Sequence, residues 1–441
     1  MTEQGQLLDL CGIVQTRASE PSAVVKPRLL RANRAQGQWQ VTDLEGLLGA
    51  DHPARAVWAF VEGLDMSEYV SEVRAIEGHA GRPAIDPAIL LGLWLFGLSQ
   101  GVGSARELDR LTQEHDAYRW LCGGVPMNYH TLSDFRNGDE QLDRLLSQSL
   151  AVLMKEGILT LERVSQDGMR VRASAGAASF RQKESLQKYL IEAEAQVARL
   201  KNEGDGQAFE RSARQQKAVE RAAREREERV RRALEQLPEV EATRRRRNKE
   251  PEEARTSTTD PQARIMKMAD GGFRPAYNAQ VACDAKTRIA VAVAVGNLGS
   301  DMAQLPPMLT QLEARFGALP KEVLVDGGYP SQASITDATA RGVTVFAPVQ
   351  KPKDGGRDRY QPLPNDDQAR AAWRLRMGTA EAKEIYKERG STIEWVNAGF
   401  RRFALTSFPV RGLRKTRAVL ILTALAHNLF RVRAIHRAHA T

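Results

Sequence analysis

Glu322-Val323-Leu324-Val325-Asp326-Gly327-Gly328-Tyr329 is a short apolar run that ends at a carboxylate followed by two glycines. An earlier stretch, Leu161 to Ala173, has the same plan: it reads as a strand, with Asp167 inside it and Gly168 directly after. A carboxylate at a strand end lies where an α/β sheet opens to solvent and holds its ligands, and the glycine lets backbone and substrate approach closely. Taken singly, an Asp-Gly after a strand is more often a turn. Two such carboxylates converging on one sheet edge need a compensating cation. Mg²⁺ suits them, because it takes hard oxygen ligands and keeps positions open for water and phosphate. A third acid is expected from a facing helix, and Glu381–Glu394 offers four glutamates without choosing among them.

Outward from these aspartates the pattern is α/β. Strands are expected at Tyr277–Asp284 and Arg288–Val295, joined by a turn at Asp284-Ala285-Lys286-Thr287. A helix follows over about Met302–Phe316, then the strand Glu322–Val325, the strand Val343–Ala347, a helix over Thr379–Glu388 and a last helix from about Lys415 to Arg431. This order predicts a mixed sheet with flanking helices. Before it, Trp39 to Leu159 reads as all-helical. Asp86-Pro87 starts a buried helix, Ser104 and Glu107 form a capping-box pattern, and Thr131–Asp134 looks like a further start. Helix–turn–helix pairs of this kind can read a major groove, although most are only packing units. Between Phe180 and Glu250, Leu186, Leu190, Ala193, Val197 and Leu200 form a narrow seam. Val219, Ala223, Val230, Ala233 and Leu237 form a weaker one after Gly204-Asp205-Gly206. This predicts an antiparallel helical hairpin inserted into the sheet domain.

At 441 residues with 42% apolar content, the chain can bury a sizeable core, and the length suggests about two to four domains. The expected boundaries are a flexible arm at 1–35, a helical domain at 36–160, an α/β domain at 161–432 that carries the candidate carboxylates and is interrupted by the hairpin at 180–250, and a basic tail at 433–441. Cys11, Cys122 and Cys283 form no C-x-x-C pair, so neither a disulfide scaffold nor a cysteine zinc site is expected. The apolar runs Ile89–Leu98 and Ala418–Leu422 are shorter than the ~20 residues of a membrane span, and the N-terminus lacks a signal-peptide pattern. The expected location is the cytoplasm. The net charge of +9 is carried by nine basic residues from Arg401 onward, a segment without Asp or Glu. That excess reads either as a polyanion contact or as a solvated tail. Asp301 reads as a helix N-cap and the runner-up carboxylate; His427 and Asn428 read as core polar contacts.

The wording of several segments resembles a known family. Tyr386, Arg389, Glu394 and Arg401, with four residues between Arg and Glu, resemble the Y-R-E-K signature of bacterial insertion-sequence transposases of the IS1182-type group, whose DDE domain is RNase H-like. Arg401 stands where lysine is usual. Gln166–Ala173, Tyr277-Asn278-Ala279-Gln280 and Val325–Tyr329 resemble that group's aspartate strands and the hairpin between them. Arg402-Phe403 and Ala424–Leu429 resemble its closing segment. Asp51-His52-Pro53, Gly81-Arg82-Pro83, Asp86-Pro87, Gly101–Arg106 and His130–Arg136 resemble its N-terminal helical domain.

The resemblance implies a DNA transposase whose helical domain is DNA-binding and whose α/β domain is catalytic. Asp167, Asp326 and Glu394 would bind two Mg²⁺ ions (Mn²⁺ can substitute) ~3.5–4 Å apart. Tyr386, Arg389 and Arg401 would position the DNA phosphate. Arg402, Arg414, Lys415 and Arg417 would line the DNA track. The implied partners are double-stranded DNA, as terminal inverted repeats and target, and a second copy in a homodimeric DNA complex. No membrane partner is implied, and the implied location is the nucleoid of the bacterial cytoplasm. The competing readings are an inactive DNA-binding copy and an RNase H-like nuclease that does not join strands.

Overall fold

The computed structural model describes residues 43–73, 75, 83–203, 213–352 and 357–440. The expected arm at 1–35, Cys11, Gly81-Arg82 and the Gly204–Gly206 interruption lie outside the described residues.

The chain begins with helices α1 (Pro53–Glu62), α2 (Ser67–Ser71), α3 (Pro87–Ser99), α4 (Ala105–Glu114), α5 (Asp116–Cys122), α6 (Tyr129–Phe135) and α7 (Asp139–Lys155). Asp86 caps α3 by accepting from the Ala88 amide at 2.8 Å, with Pro87 at the first helical position. Every residue from Ile89 to Leu98 is buried, so α3 is buried all round, as its unbroken apolar run requires. Ser104 caps α4 at the Glu107 amide. Helix α6 starts earlier than its Thr131–Asp134 stretch suggests: Asn128 is the cap, accepting from the His130 amide at 2.8 Å. Cys122 and Cys283 are buried free thiols.

The sheet is built from β1 (Arg163–Arg172), β4 (Arg264–Lys267), β5 (Phe273–Asp284), β6 (Ala290–Gly296), β7 (Glu322–Leu324) and β8 (Thr344–Phe346). A separate ribbon joins β2 (Phe180–Arg181) to β3 (Thr256–Ser257). Strand β5 lies between β1 on one edge and β4 with β6 on the other, all antiparallel to it. On the far side of β1, β7 and then β8 run parallel. The result is a mixed sheet in the order β4-β5-β1-β7-β8, with β6 paired to β5 on the same side as β4. Helices α10 (Leu305–Phe316), α11 (Gln332–Ala340), α12 (Gln368–Gly378), α13 (Ala380–Arg402) and α14 (Leu413–Ala440) complete the described chain. Strand β4 and helices α11 and α12 have no counterpart in the sequence reading, where their short, polar-rich segments carry weak periodicity.

Two helices are longer than expected. Helix α13 passes through Gly390 to Arg402, because Ile393, Val396 and Phe400 keep one face buried beyond it. Helix α14 continues to Ala440, so the described part of the expected basic tail is helical. By length and composition Leu413–His439 could cross a membrane, but 67% of its apolar window is buried. It packs on α3, α7 and β6 and serves as a core helix. Asn428 there clasps Ala290: its Oδ1 accepts from the Ala290 amide and its Nδ2 donates to the Ala290 carbonyl, both at 2.8 Å. The clasp sits where the β5–β6 register shifts. His427 Nε2 bonds the Arg288 carbonyl at 2.9 Å, and burial pushes its pKa down to about 4. Both are core polar contacts, as expected.

Helices α8 (Lys183–Glu203) and α9 (Ala213–Arg246) pack along each other. Leu186, Ala193 and Val197 are buried against Ala223, Val230, Ala233 and Leu237, a seam separate from the main core. The outer faces carry ion pairs such as Arg231 with Glu227 and Glu194. The hairpin is tied down at its base, where Thr256 Oγ1 donates to the Ala233 carbonyl at 2.7 Å and Arg264 to Gln236 at 2.8 Å.

Candidate active site

Parallel pairing of β1 with β7 ends at Ser165 opposite Leu324. Asp167 and Asp326 each lie two residues beyond that pair. Asp167 therefore lies inside β1 and Asp326 just past the end of the neighbouring parallel β7, and the negative charge of Asp326 acts on Asp167. Asp326 Oδ1 accepts from the Gly328 amide at 2.7 Å, which folds the Asp-Gly-Gly turn back on its own carboxylate.

Alternate residues of β1 hold α13 along its length. Arg163 pairs with Glu388 at 2.7 Å, Ser165 Oγ shares a 2.9 Å hydrogen bond with Thr392 Oγ1, and Asp167 Oδ2 accepts from Asn397 Nδ2 at 3.1 Å. The period-two alternation of the strand puts all three on one face. Arg389 reaches across the site: one guanidinium nitrogen lies 3.0 Å from Asp167 Oδ1 and the other 3.6 Å from Glu394 Oε1. Burial raises the Asp167 pKa, against the pull of Arg389. Burial also raises that of Tyr386, whose phenol feels Arg389, Asp326, Asp167 and Glu394. Asp167, Asp326, Glu394, Tyr386 and Arg389 thus share one electrostatic neighbourhood. Arg401 and Arg402 are exposed in the last turn of α13.

The opposite face of β1 carries a buried polar cluster. Gln280 Oε1 accepts from Tyr329 Oη at 2.5 Å and Gln166 Nε2 at 3.1 Å, while its Nε2 donates to Asp301 Oδ1 at 2.7 Å and Asn278 Oδ1 at 3.1 Å. Asn278 also donates to Asp301 Oδ1 at 2.7 Å, and Arg170 pairs with Asp301 Oδ2 at 2.8 Å. Asp301 is therefore the anionic centre of this cluster and not the expected N-cap; that position is held by Gln304. Gly168 sits in the middle. A Cβ there would lie 2.4 Å from both Asp301 Oδ1 and Gln280 Nε2. The cluster joins β1 to Tyr329, three residues beyond Asp326, and so ties the two aspartate segments together.

Among the described residues, no group of three His, Cys, Asp or Glu side chains is arranged to hold a metal ion. Arg389 lies between Asp167 and Glu394 instead, and supplies the positive charge that these carboxylates require. The donor chemistry nevertheless fits a hard divalent cation. The candidate donors are carboxylate oxygens, Asn397 Oδ1 is buried without a partner, and Glu394 is 64% exposed at its side chain and free to turn. Asn397 has no place in the sequence reading. Its spacing of three from Glu394 and four from Arg401, along one side of a helix, is the signal that could have found it.

Residues 239–429 match the family of the transposase DDE domain, and residues 42–138 match a transposase domain (DUF772). Both matches are to transposase domains. The DDE match contains Asp326, Tyr386, Arg389, Glu394 and Arg401, whereas Asp167 lies before its start. No curated protein and no solved structure matches the chain.

The basic C-terminal segment is partly engaged within the chain. Arg414 pairs with Asp139 at 2.7 Å, and Arg417 pairs with Asp143 at 2.9 Å and with Asp139 at 3.4 Å. These pairs fasten α14 to α7. Lys415 is exposed beside them. The structure therefore changes what the triple replacement Arg414→Gln, Lys415→Gln, Arg417→Gln should do. Full use of three phosphate contacts would flatten the salt slope by up to about 2.7 units. With two arginines held by α7, the expected loss is about 0.9, from Lys415 alone, together with a lower melting temperature as Asp139 loses its partners. A loss near the larger value would show that DNA takes both arginines from their acids.

Proposed function

We propose that the chain binds the ends of an insertion sequence, cleaves a strand there and joins the freed 3′-hydroxyl to target DNA. The observation that carries this reading is the pair Asp167, inside β1, and Asp326, just past the end of the parallel β7, with α13 bringing Arg389 to Asp167 and Glu394 to Arg389. The strand order, antiparallel from β6 to β1 and parallel from β1 to β8, supports an RNase H-like sheet. The spacing of Tyr386, Arg389, Glu394 and Arg401 supports the IS1182-type group within the transposases.

Asp167, Asp326 and Glu394 would hold two Mg²⁺ ions, with Mn²⁺ as a substitute. When bound, such ions lower the pKa of the nucleophile and stabilise the leaving oxygen. The reaction is an in-line displacement carried out twice. First water attacks phosphorus and the 3′-oxygen leaves; then that 3′-hydroxyl attacks a target phosphate and a target 3′-oxygen leaves. Arg389 would exchange its carboxylate partners for the scissile phosphate, which its planar fork binds in bidentate fashion. Asn397 would keep Asp167 oriented during that exchange. Tyr386 would donate to the same phosphate, and Arg401 and Arg402 would steady the flanking backbone. The setting is the bacterial cytoplasm, on the nucleoid.

A labelled element end, incubated with protein and Mg²⁺ or Mn²⁺, tests the proposal. Metal-dependent cleavage with joined products is expected. Binding without cleavage would assign the chain to an inactive copy, and cleavage without joining to a nuclease. Paired ends call for two protomers, and the charged hairpin α8–α9 is the proposed protomer or DNA contact. If a variant lacking the hairpin pairs ends and transfers strands as well as the full chain, that role is wrong.

A further inference from the structure

A groove of about 560 Å³ lies where the end of α9 and the return segment after it meet the outer strand β4 and the start of β5. Arg244, Arg247, Lys249, Arg255, Arg264 and Lys267 line it, against the two acids Glu239 and Glu253. Both acids are already met: Arg244 pairs with Glu253, and Arg264 pairs with Glu239 at 3.1 Å. Arg247, Lys249, Arg255 and Lys267 are exposed. Among the described residues none of these four has an ion-pair partner, so the groove keeps an uncompensated charge of four.

Its apolar lining is also unusual. Phe273 is 68% exposed, Ile265 46% and Leu298 39%, a concentration of apolar surface on the outer edge of the sheet. Arg245 and Arg246, exposed in the last turn of α9, extend the positive field beyond the rim. A solvated charged face does not need exposed Phe, Ile and Leu at its centre. An acidic protein surface would leave the large apolar side chains unmatched unless it were itself apolar. The sugar–phosphate backbone of DNA offers both features: phosphates for the rim cations and the apolar faces of deoxyriboses for Phe273 and Ile265.

We propose that this groove is a second DNA-backbone site, formed by the base of the inserted hairpin and the edge strand β4. It binds duplex DNA without regard to sequence, because its contacts are to phosphate and sugar. The proposal rests on the reading of the chain as a DNA transposase. It gives the hairpin a role in holding DNA at its root, on charges that lie outside the C-terminal segment.

The test uses the full chain and a fluorescein-labelled duplex of arbitrary sequence, with anisotropy titrations over a range of salt. Replacing Lys249, Arg255 and Lys267 with Gln should flatten the slope of log affinity against log salt by up to about 2.7 units. Phe273→Ala should weaken binding about tenfold at fixed salt and leave the slope unchanged, because it removes apolar contact area against the deoxyriboses and no charge. A folded triple variant with the wild-type slope overturns the proposal. So does loss of a dimer, by light scattering, with the slope retained; that result assigns the groove to a second copy of the chain. If the wild-type protein shows no salt-dependent DNA binding, the failure belongs to the transposase reading itself.

Discussion

Asp167→Asn, Asp326→Asn and Glu394→Gln should each reduce end cleavage by at least about 10³-fold, while binding of the uncleaved end and the circular dichroism spectrum stay near wild type. The magnitude follows from the several kcal/mol of transition-state charge stabilisation that a bound divalent ion contributes, since ~4 kcal/mol corresponds to three powers of ten in rate. The acids differ in what surrounds them. Asp167 is half-buried and engaged on both oxygens, by Arg389 and Asn397. Its amide variant should therefore also loosen Arg389. Glu394 is largely exposed, and its replacement should leave stability unchanged. Asp301→Asn provides the contrast. That side chain serves the cluster on the other face of β1, so its replacement should lower the melting temperature more than any triad variant does. Full cleavage by the Asp167 or Glu394 variant, or a catalytic loss confined to Asp301, would remove the proposed triad.

Gly168→Ala is expected to have the second largest effect, although it changes no functional group. The new methyl would lie 2.4 Å from Asp301 Oδ1 and Gln280 Nε2, and 2.8 Å from Asn278 Oδ1. These atoms are fixed by one another and by Tyr329, so none can withdraw without breaking a buried hydrogen bond. Overpacking of this kind costs about 1–3 kcal/mol, which urea unfolding would register. Because Asp167 is the preceding residue, the strain also reaches the carboxylate. A displacement of about 1 Å in a catalytic group can cost ~100-fold in rate. The expected result is reduced stability and reduced cleavage together, with DNA affinity retained. Wild-type stability in this variant would mean that the cluster gives way easily and does not fix the aspartate strands.

The sequence by itself determined features that depend on near neighbours along the chain. The Asp86-Pro87 start of α3, the Ser104 cap of α4, the Asp284–Thr287 turn and the narrow seams of α8 and α9 are all of this kind, and each is present. The Asp-Gly pairs within one apolar strand and just after another also marked Asp167 and Asp326 before any partner was known. Only the tertiary structure decided which distant groups those residues meet. Asp301 looked like a cap because Gly299-Ser300 precedes it, yet its oxygens belong to Arg170, Asn278 and Gln280. Arg414 and Arg417 looked available to a polyanion until α7 brought Asp139 and Asp143 beside them. Arg389 was read as a phosphate ligand, and folding gives it two carboxylates. Caps, turns and periodicity are set within a few residues by backbone geometry and apolar spacing. The partner of a charge is set by which strands and helices pack together, and no local pattern specifies that choice.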